Sequence, residues 1–242
     1  MKKGVSMAWF FSEEEIRSDV YALSEENQKH ARVLRLRDGE AVTVITPNGE
    51  QCDCAYKSGG TLRVLSRKPC ENEPDVFVTL YQALPKGDKM DAIVQKCVEL
   101  GISRIMPMLS ARCVSRPDEK SLRKKRERWQ KIALQAAMQS RRGIIPEVAD
   151  CVSFAQAAEL TKENDQTIFF YELGGDSVKD ILTGKPQTLG MFIGSEGGFE
   201  ASEVQQVLSG GGRAATLGKR ILRAETAPLA ALSIIMYQTD NF

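Results

Sequence analysis

The sequence predicts an α/β protein in which a small antiparallel β domain precedes a larger domain built on a mostly parallel sheet. Two observations carry this. Before "KPCENEPD" (residues 68–75), short strand-like runs are separated by tight-turn signals; after it, apolar strands alternate with helix-length segments. Alternation of that kind implies a parallel sheet covered by helices on both faces. The expected domains are residues 1–72 and 73–242, and 242 residues suffice for both.

In the first domain, "AVTVIT" (41–46), "QCDCAY" (51–56) and "TLRVLS" (61–66) read as strands. Asn48-Gly49 predicts a hairpin with a type I′ turn, which needs positive φ at both central residues. Ser58-Gly59-Gly60 marks the next turn, and a helix is expected over 24–34. The second domain opens with the strand "VFVTLYQAL" (76–84) and a helix over 88–100, whose Met90, Ile93, Val94, Cys97 and Leu100 recur at helical spacing before Gly101. There follow "ISRIMPML" (102–109), a long helix over 118–142, "TIFFYEL" (167–173), "TLGMFIG" (188–194), a helix over 202–208, "RAATLG" (213–218) and a final helix from Thr226.

Composition narrows the function. A formal net charge of +1 excludes a globally basic nucleic-acid coat, so any polyanion must meet a local patch. The six cysteines form no C-x-x-C pair and His30 is the only histidine, which argues against a metal site and for reduced thiols. Lys2 and Lys3 precede too short an apolar piece, and Glu13, Glu14 and Glu15 come too soon, for a signal peptide. The longest apolar run, 229–237, falls short of the roughly 20 residues that span a bilayer. A cytoplasmic protein without a membrane partner is expected.

Ligands of parallel sheets bind where strands end in loops leading to helices. Three such loops carry glycine: "YELGGDS", "IGSEGGF" and "LGKRILRAET". Missing side chains let backbone groups approach a ligand there; one such loop alone is an ordinary turn, but three at successive strand ends mark a site. "GSEGGF" is not G-x-G-x-x-G, and "GRAATLGK" has the wrong spacing for a P-loop, so neither NAD nor ATP is favoured.

"LGKRILRAETAPLAAL" (217–232), "FIGSEGGF", "KGDKMDAIVQKCVELGI" (86–102), "QAAMQSRRGIIPEV" (135–148) and "HARVLRLRDGE" (30–40) together closely resemble the RsmE family. These are SPOUT-class methyltransferases that act on N3 of a uridine in 16S ribosomal RNA. The resemblance implies a PUA-like RNA-binding barrel, then a sheet whose C-terminal segment is threaded into a trefoil knot, a rare topology. It implies S-adenosylmethionine bound in the knot, a homodimer, and as substrate the decoding-centre uridine of an assembled or nearly assembled small subunit.

In that reading Leu173 and Gly174 line one side of the cofactor, Gly194, Ser195, Glu196 and Gly197 the second, and Leu217, Gly218, Ile221 and Leu222 the third, with Gly198 also leaving room. The family commonly has proline where this chain has Ser195, which would rigidify the turn. Thr226, followed by Pro228, is expected to cap the last helix first and touch the site second.

Uridine N3 must lose its proton before it attacks, so positioning and electrostatics carry the catalysis. An arginine against the uracil oxygens stabilises the anion without titrating. Arg223 is the first candidate, then Arg142 and Arg112. Glu196 is a candidate to orient the base or an arginine or to accept the proton, and equally a carboxylate at a helix N-terminus. The long helix carries Lys120, Arg123, Lys124, Lys125, Arg126, Arg128 and Lys131 opposite an apolar stripe of Leu122, Trp129, Ile132 and Ala136. Ordinarily a solvated face, such a run beside an RNA-modifying site is a phosphate-contacting surface. Lys86 and a second cluster, Lys29, Arg32, Arg35 and Arg37, join the RNA-binding candidates; His30 is as readily a packed residue. "TAPLAALSIIMY" is apolar on nearly every face, as suits a central helix or one that meets its copy in a second subunit. Two other classes remain open: a non-catalytic RNA-binding assembly factor, and a small-molecule enzyme using another nucleotide.

Overall fold

The computed structural model describes residues 8–242; Lys2 and Lys3, which bear on the leader expectation, lie outside the described residues. The chain forms two compact units. One is the chain through Glu73 together with Ala137–Ile145; the other is Pro74–Ala136 with Pro146–Phe242.

The first unit holds β1 (Ala8–Phe11), β2 (Val20–Ala22), β3 (Ala41–Ile45), β4 (Glu50–Lys57) and β5 (Thr61–Pro69), in the order β1-β3-β4-β5-β2. Only β1 and β3 pair in parallel. Phe10, Val42, Val44, Cys52, Cys54 and Leu62 fill its core, closed by Ala31 of α1 (Glu25–Val33). Burial pushes the Cys54 thiol up to about 12, so it stays protonated and unreactive. α1 starts where Ser24 Oγ accepts the Asn27 N–H at 3.2 Å, satisfying one of the helix's orphan donors. His30 packs edge-on against Phe10, ring centroids 5.9 Å apart.

The hairpin at Asn48-Gly49 differs from the expected type I′ turn. Gly49 alone of the pair has positive φ (78°), and its N–H donates to Thr46 O at 3.0 Å. Pro47, with φ fixed near −65°, suits the second position of an ordinary type I turn, and the left-handed glycine then restores the strand twist.

Ala137–Ile145 is held to this unit by Arg142, 3% exposed. Its Nε and Nη2 donate to the Glu73 carboxylate at 2.9 and 2.6 Å, which also accepts the Gly143 N–H at 2.6 Å. The Arg142 carbonyl accepts the Trp9 indole N–H at 2.9 Å.

The second unit contains β6 (Phe77–Ala83), β7 (Arg104–Leu109), β8 (Glu147–Val148), β9 (Val152–Ser153), β10 (Gln166–Phe170), β11 (Asp176–Ser177), β12 (Thr188–Ile193) and β13 (Arg213–Thr216). They run in the order β11-β13-β10-β12-β6-β7-β8, with β9 also on β7, and every pair is parallel. From Leu189 to Ile193 every residue is buried, the continuous apolar signature of a sheet covered on both faces.

Its helices are α2 (Lys89–Glu99), α3 (Glu119–Ser140), α4 (Phe154–Leu160), α5 (Val178–Ile181), α6 (Ala201–Ser209) and α7 (Ala227–Gln238). The sequence reading lacks β1, β2, the short strands β8, β9 and β11, and helices α4 and α5. For α4 a signal existed: Ser153 and Gln156 form a reciprocal capping box. α7 is not a central helix; Ala231, Leu232, Ile235 and Met236 are buried, while Tyr237 is 71% exposed. No helix among the described residues is long and apolar enough to cross a membrane.

Replacing Glu73 by alanine would deprive the buried Arg142 guanidinium of its carboxylate, and the expected loss is about 3 kcal/mol. Urea unfolding of the variant measures it; a loss under about 1 kcal/mol would mean that the pair does not hold Ala137–Ile145 in place.

Candidate active site

Strands β13, β10 and β12 are neighbours, so their carboxyl ends lie side by side. The three loops leaving them enclose a cavity of about 530 Å³, within the range of small-ligand sites. The β10 end contributes Phe170, Tyr171 and Glu172; the β12 loop contributes Gly194 to Gly198; the β13 loop contributes residues from Thr216 to Ala224.

The β12 loop is pinned from beneath. Phe199, 1% exposed, lies 4.4 Å from the Phe169 ring and 5.7 Å from Phe154, in a cluster with Phe192 and Tyr81. The loop's glycines answer first to neighbouring protein atoms. A Cβ at Gly194 would sit 3.2 Å from the Phe199 ring, and one at Gly197 would sit 3.0 Å from the Arg112 carbonyl oxygen. One at Gly198 would overlap the Glu172 carboxylate, and φ there is +65°. Ser195 closes the turn by accepting the Gly198 N–H at 3.0 Å, while its buried Oγ has no hydrogen-bond partner among the described residues.

Charge in the cavity is arranged around one ammonium. Lys89 Nζ lies 2.8 Å from Glu196 Oε1 and 3.3 Å from Glu225 Oε2, and Glu196 also accepts the Lys86 N–H at 3.1 Å. Burial alone pushes the Glu196 carboxyl up, but the hydrogen bonds from Lys89 and backbone N–H groups outweigh it and hold the group below its ordinary value. Glu225 is lowered by its own backbone N–H first and by Lys89 next. Lys89 is raised, chiefly by its hydrogen bond to Glu196.

Beyond the geometry, residues 72–236 match the RNA methyltransferase domain family. The chain is 34% identical over 232 residues to the ribosomal RNA small subunit methyltransferase E of Bacillus subtilis, covering 91% of each chain. The chain belongs to the RsmE family of RNA methyltransferases. An RsmE relative from Synechocystis shares 34% identity over 84% of this chain and 68% of its own. The RsmE crystal structure from Neisseria gonorrhoeae, bound to S-adenosylmethionine, superposes with a TM-score of 0.85 at 30% identity, covering 96% of this chain and 97% of that one.

Of the site residues expected for an RsmE protein, Gly194, Ser195, Glu196, Gly197, Leu217, Gly218, Ile221, Leu222 and Arg223 border the cavity. Leu173 and Gly174 lie beyond its wall, Leu173 being 76% exposed. Arg112 adjoins it, donating from Nη1 to Gly197 O at 3.3 Å. Arg142 sits in the first unit on Glu73. Thr226 occupies the N-cap position of α7 without a side-chain cap bond, contrary to the capping expectation. Its φ and ψ of −91° and −36° are already helical, whereas a capping oxygen needs an extended backbone to reach back. The Arg223 carbonyl accepts the Thr226 and Ala227 N–H groups at 2.8 and 2.9 Å.

Sequence reasoning missed Lys89, Lys219, Arg220 and Glu172, all on the cavity wall. For Lys89 there was a signal: a cation in the first turn of a helix opposes the helix dipole and calls for nearby acids.

Among the basic candidates, Arg126 donates to Val148 O and Asp150, Arg123 pairs with Glu119 at 3.4 Å, and Arg128 pairs with Asp91. Lys124 and Lys131 are exposed and hold no ion pair among the described residues. Lys29, Lys86, Arg32 and Arg35 are also exposed, and Arg35 has positive φ (57°).

Because the folded-state pKa values of Glu196 and Glu225 lie below their ordinary 4.5, their contribution to stability is present above pH 4.5 and lost as pH falls through the lowered values. The melting temperature of Glu196→Gln should therefore fall less steeply with acidification below pH 4.5 than that of the wild type. Parallel melting curves would show that the pairing with Lys89 does not persist in solution.

Proposed function

We propose that the cavity binds S-adenosylmethionine and that the protein methylates N3 of a uridine in 16S ribosomal RNA, the decoding-centre uridine of an assembled or nearly assembled small subunit. The observation that carries this is the convergence of three loops from β10, β12 and β13 on one cavity, in a chain of the RsmE family. The fit to the cofactor rests on Ser195, which borders the cavity and whose buried Oγ lacks a partner among the described residues, and on Gly218, where φ is +95° and a Cβ would meet open space. A buried hydroxyl of that kind calls for a partner, which a nucleoside or amino-acid moiety supplies.

When bound, the cofactor supplies an activated methyl group; the chain must supply alignment and charge. Arg223 borders the cavity, is exposed and holds no ion pair among the described residues. Its backbone is fixed by the start of α7, so the side chain projects from a rigid base and stabilises negative charge on the uracil. Lys219 and Arg220 make the rim cationic, as a phosphate-bearing substrate requires. Glu196, held below its ordinary pKa, is a weak proton acceptor near neutral pH, so its role is to orient Lys89. Arg112 acts by fixing Gly197.

In this reading the five-stranded first unit is the PUA-like RNA-binding module, with Lys29, Arg32 and Arg35 on its surface. Lys86, Lys124 and Lys131 contact phosphates from the second unit, while Arg123 and Arg126 must first give up carboxylate partners. The crowding of three loops at one sheet end fits a C-terminal segment threaded as a trefoil knot. The exposed Ile234 and Tyr237 of α7 fit a homodimer, and the protein acts in the cytoplasm.

Calorimetric titration with S-adenosylmethionine, paired with transfer of labelled methyl to unmodified small subunits, tests the reading; absence of both in folded protein would overturn it. Arg223→Ala should keep cofactor binding and lose about 100-fold in transfer. Loss of cofactor binding would place Arg223 in the cofactor site instead. With S-adenosylmethionine at saturation, Glu196→Gln should retain near-normal turnover at every pH, and a lost acid limb in its rate profile would make Glu196 the base.

A further inference from the structure

We propose that Lys89 is a positioning residue whose ammonium ties the glycine loop after β12 to the turn that begins α7, holding two walls of the cavity together. The inference rests on the cofactor reading above for the identity of the ligand, but the tie itself rests on geometry.

Lys89 reaches Glu196 of the glycine loop at 2.8 Å and Glu225, which follows the cavity-lining Ala224, at 3.3 Å, and Glu196 is also bound to the Lys86 N–H at 3.1 Å. Three separate pieces of chain thus meet at one ammonium. Glu225 immediately precedes Thr226, the first position of the α7 start, and Glu196 lies between Ser195 and Gly197 in the turn. Lys89 occupies the first turn of α2, where the helix dipole disfavours a cation, so the two carboxylates offset a placement that is otherwise unfavourable. Remove the ammonium and two carboxylates face each other. Arg223, which also acts on Glu225, and Arg112, engaged with the Gly197 carbonyl, are the nearby cations left to answer them.

The three side chains are about one-third exposed, so the bridge contributes little to global stability. Its effect is local: it sets how often the two loops open relative to the sheet that carries them. A cavity that is closed only part of the time binds its ligand more weakly by the inverse of that closed fraction.

The test compares wild type, Lys89→Met, Lys89→Arg and Lys89→Met with Glu225→Gln. Amide hydrogen exchange is read at residues 194–198 and 223–227, together with the Kd for S-adenosylmethionine. Lys89→Met should speed exchange about fivefold in both segments and weaken the cofactor by a smaller factor, with little change in melting temperature. Lys89→Arg should restore both. Adding Glu225→Gln to Lys89→Met should recover part of the loss, because the facing charges are gone. Unchanged exchange in Lys89→Met, or acceleration in only one segment, overturns the tie. Weakened cofactor binding that Glu225→Gln leaves unrelieved also overturns it, since Lys89 would then touch the cofactor directly. A wild type that does not bind the cofactor overturns the cofactor reading alone, because exchange still decides the tie.

Discussion

Burial of Phe199 beneath the β12 loop fixes the position of everything around the cavity, because the ring is locked against Phe169 and Phe154, themselves packed on Phe192, and cannot move without opening the aromatic core. Burying a side chain of this size contributes roughly 2 kcal/mol. The loop that ends at Phe199 must then pass over a surface already filled by Arg112, Glu172 and the ring itself. Glycine at 194, 197 and 198 is the consequence, and the tight turn leaves the Ser195 hydroxyl buried with no partner among the described residues. The missing side chains therefore serve the protein's own packing first, and the exposed backbone that a ligand uses follows from it.

Charge is sorted in the same economical way. Glu196 and Glu225 are committed to Lys89, so the cations at the cavity rim, Lys219, Arg220 and Arg223, stay available for an anion. Arg142 shows the opposite use of the same side chain: desolvated, bidentate on Glu73, it organises backbone. On α3, intramolecular partners take up several guanidinium groups while lysines remain open to solvent. A row of basic letters in a sequence thus divides into structural and available charge only once the acids around it are placed.

That distinction marks how far the sequence could be read. The parallel sheet, α2, α3, α6 and α7, and the three strand-end loops were legible because apolar periodicity and glycine reflect local backbone physics. Four-residue β1 carried too short a pattern, and short α4 was overlooked despite its Ser153–Gln156 box. The Asn48-Gly49 turn was placed correctly but assigned the wrong geometry, because Pro47 and not Asn48 decides it. Lys89 and Glu225 were invisible as partners, since no periodicity reports that residues from different loops will share one ammonium. The same holds for Arg142, whose pairing with Glu73 no local pattern reports.

The first unit is discontinuous: it is completed by Ala137–Ile145, which arrives only after much of the second unit's chain has been made. On the ribosome, the Glu73 carboxylate and the Trp9 indole N–H must therefore wait for Arg142, whose guanidinium and carbonyl they bind. Until that segment leaves the exit tunnel the amino-terminal sheet is a nascent intermediate lacking its closing strap, and the order of synthesis, which ordinarily lets a leading domain finish first, gives it no head start.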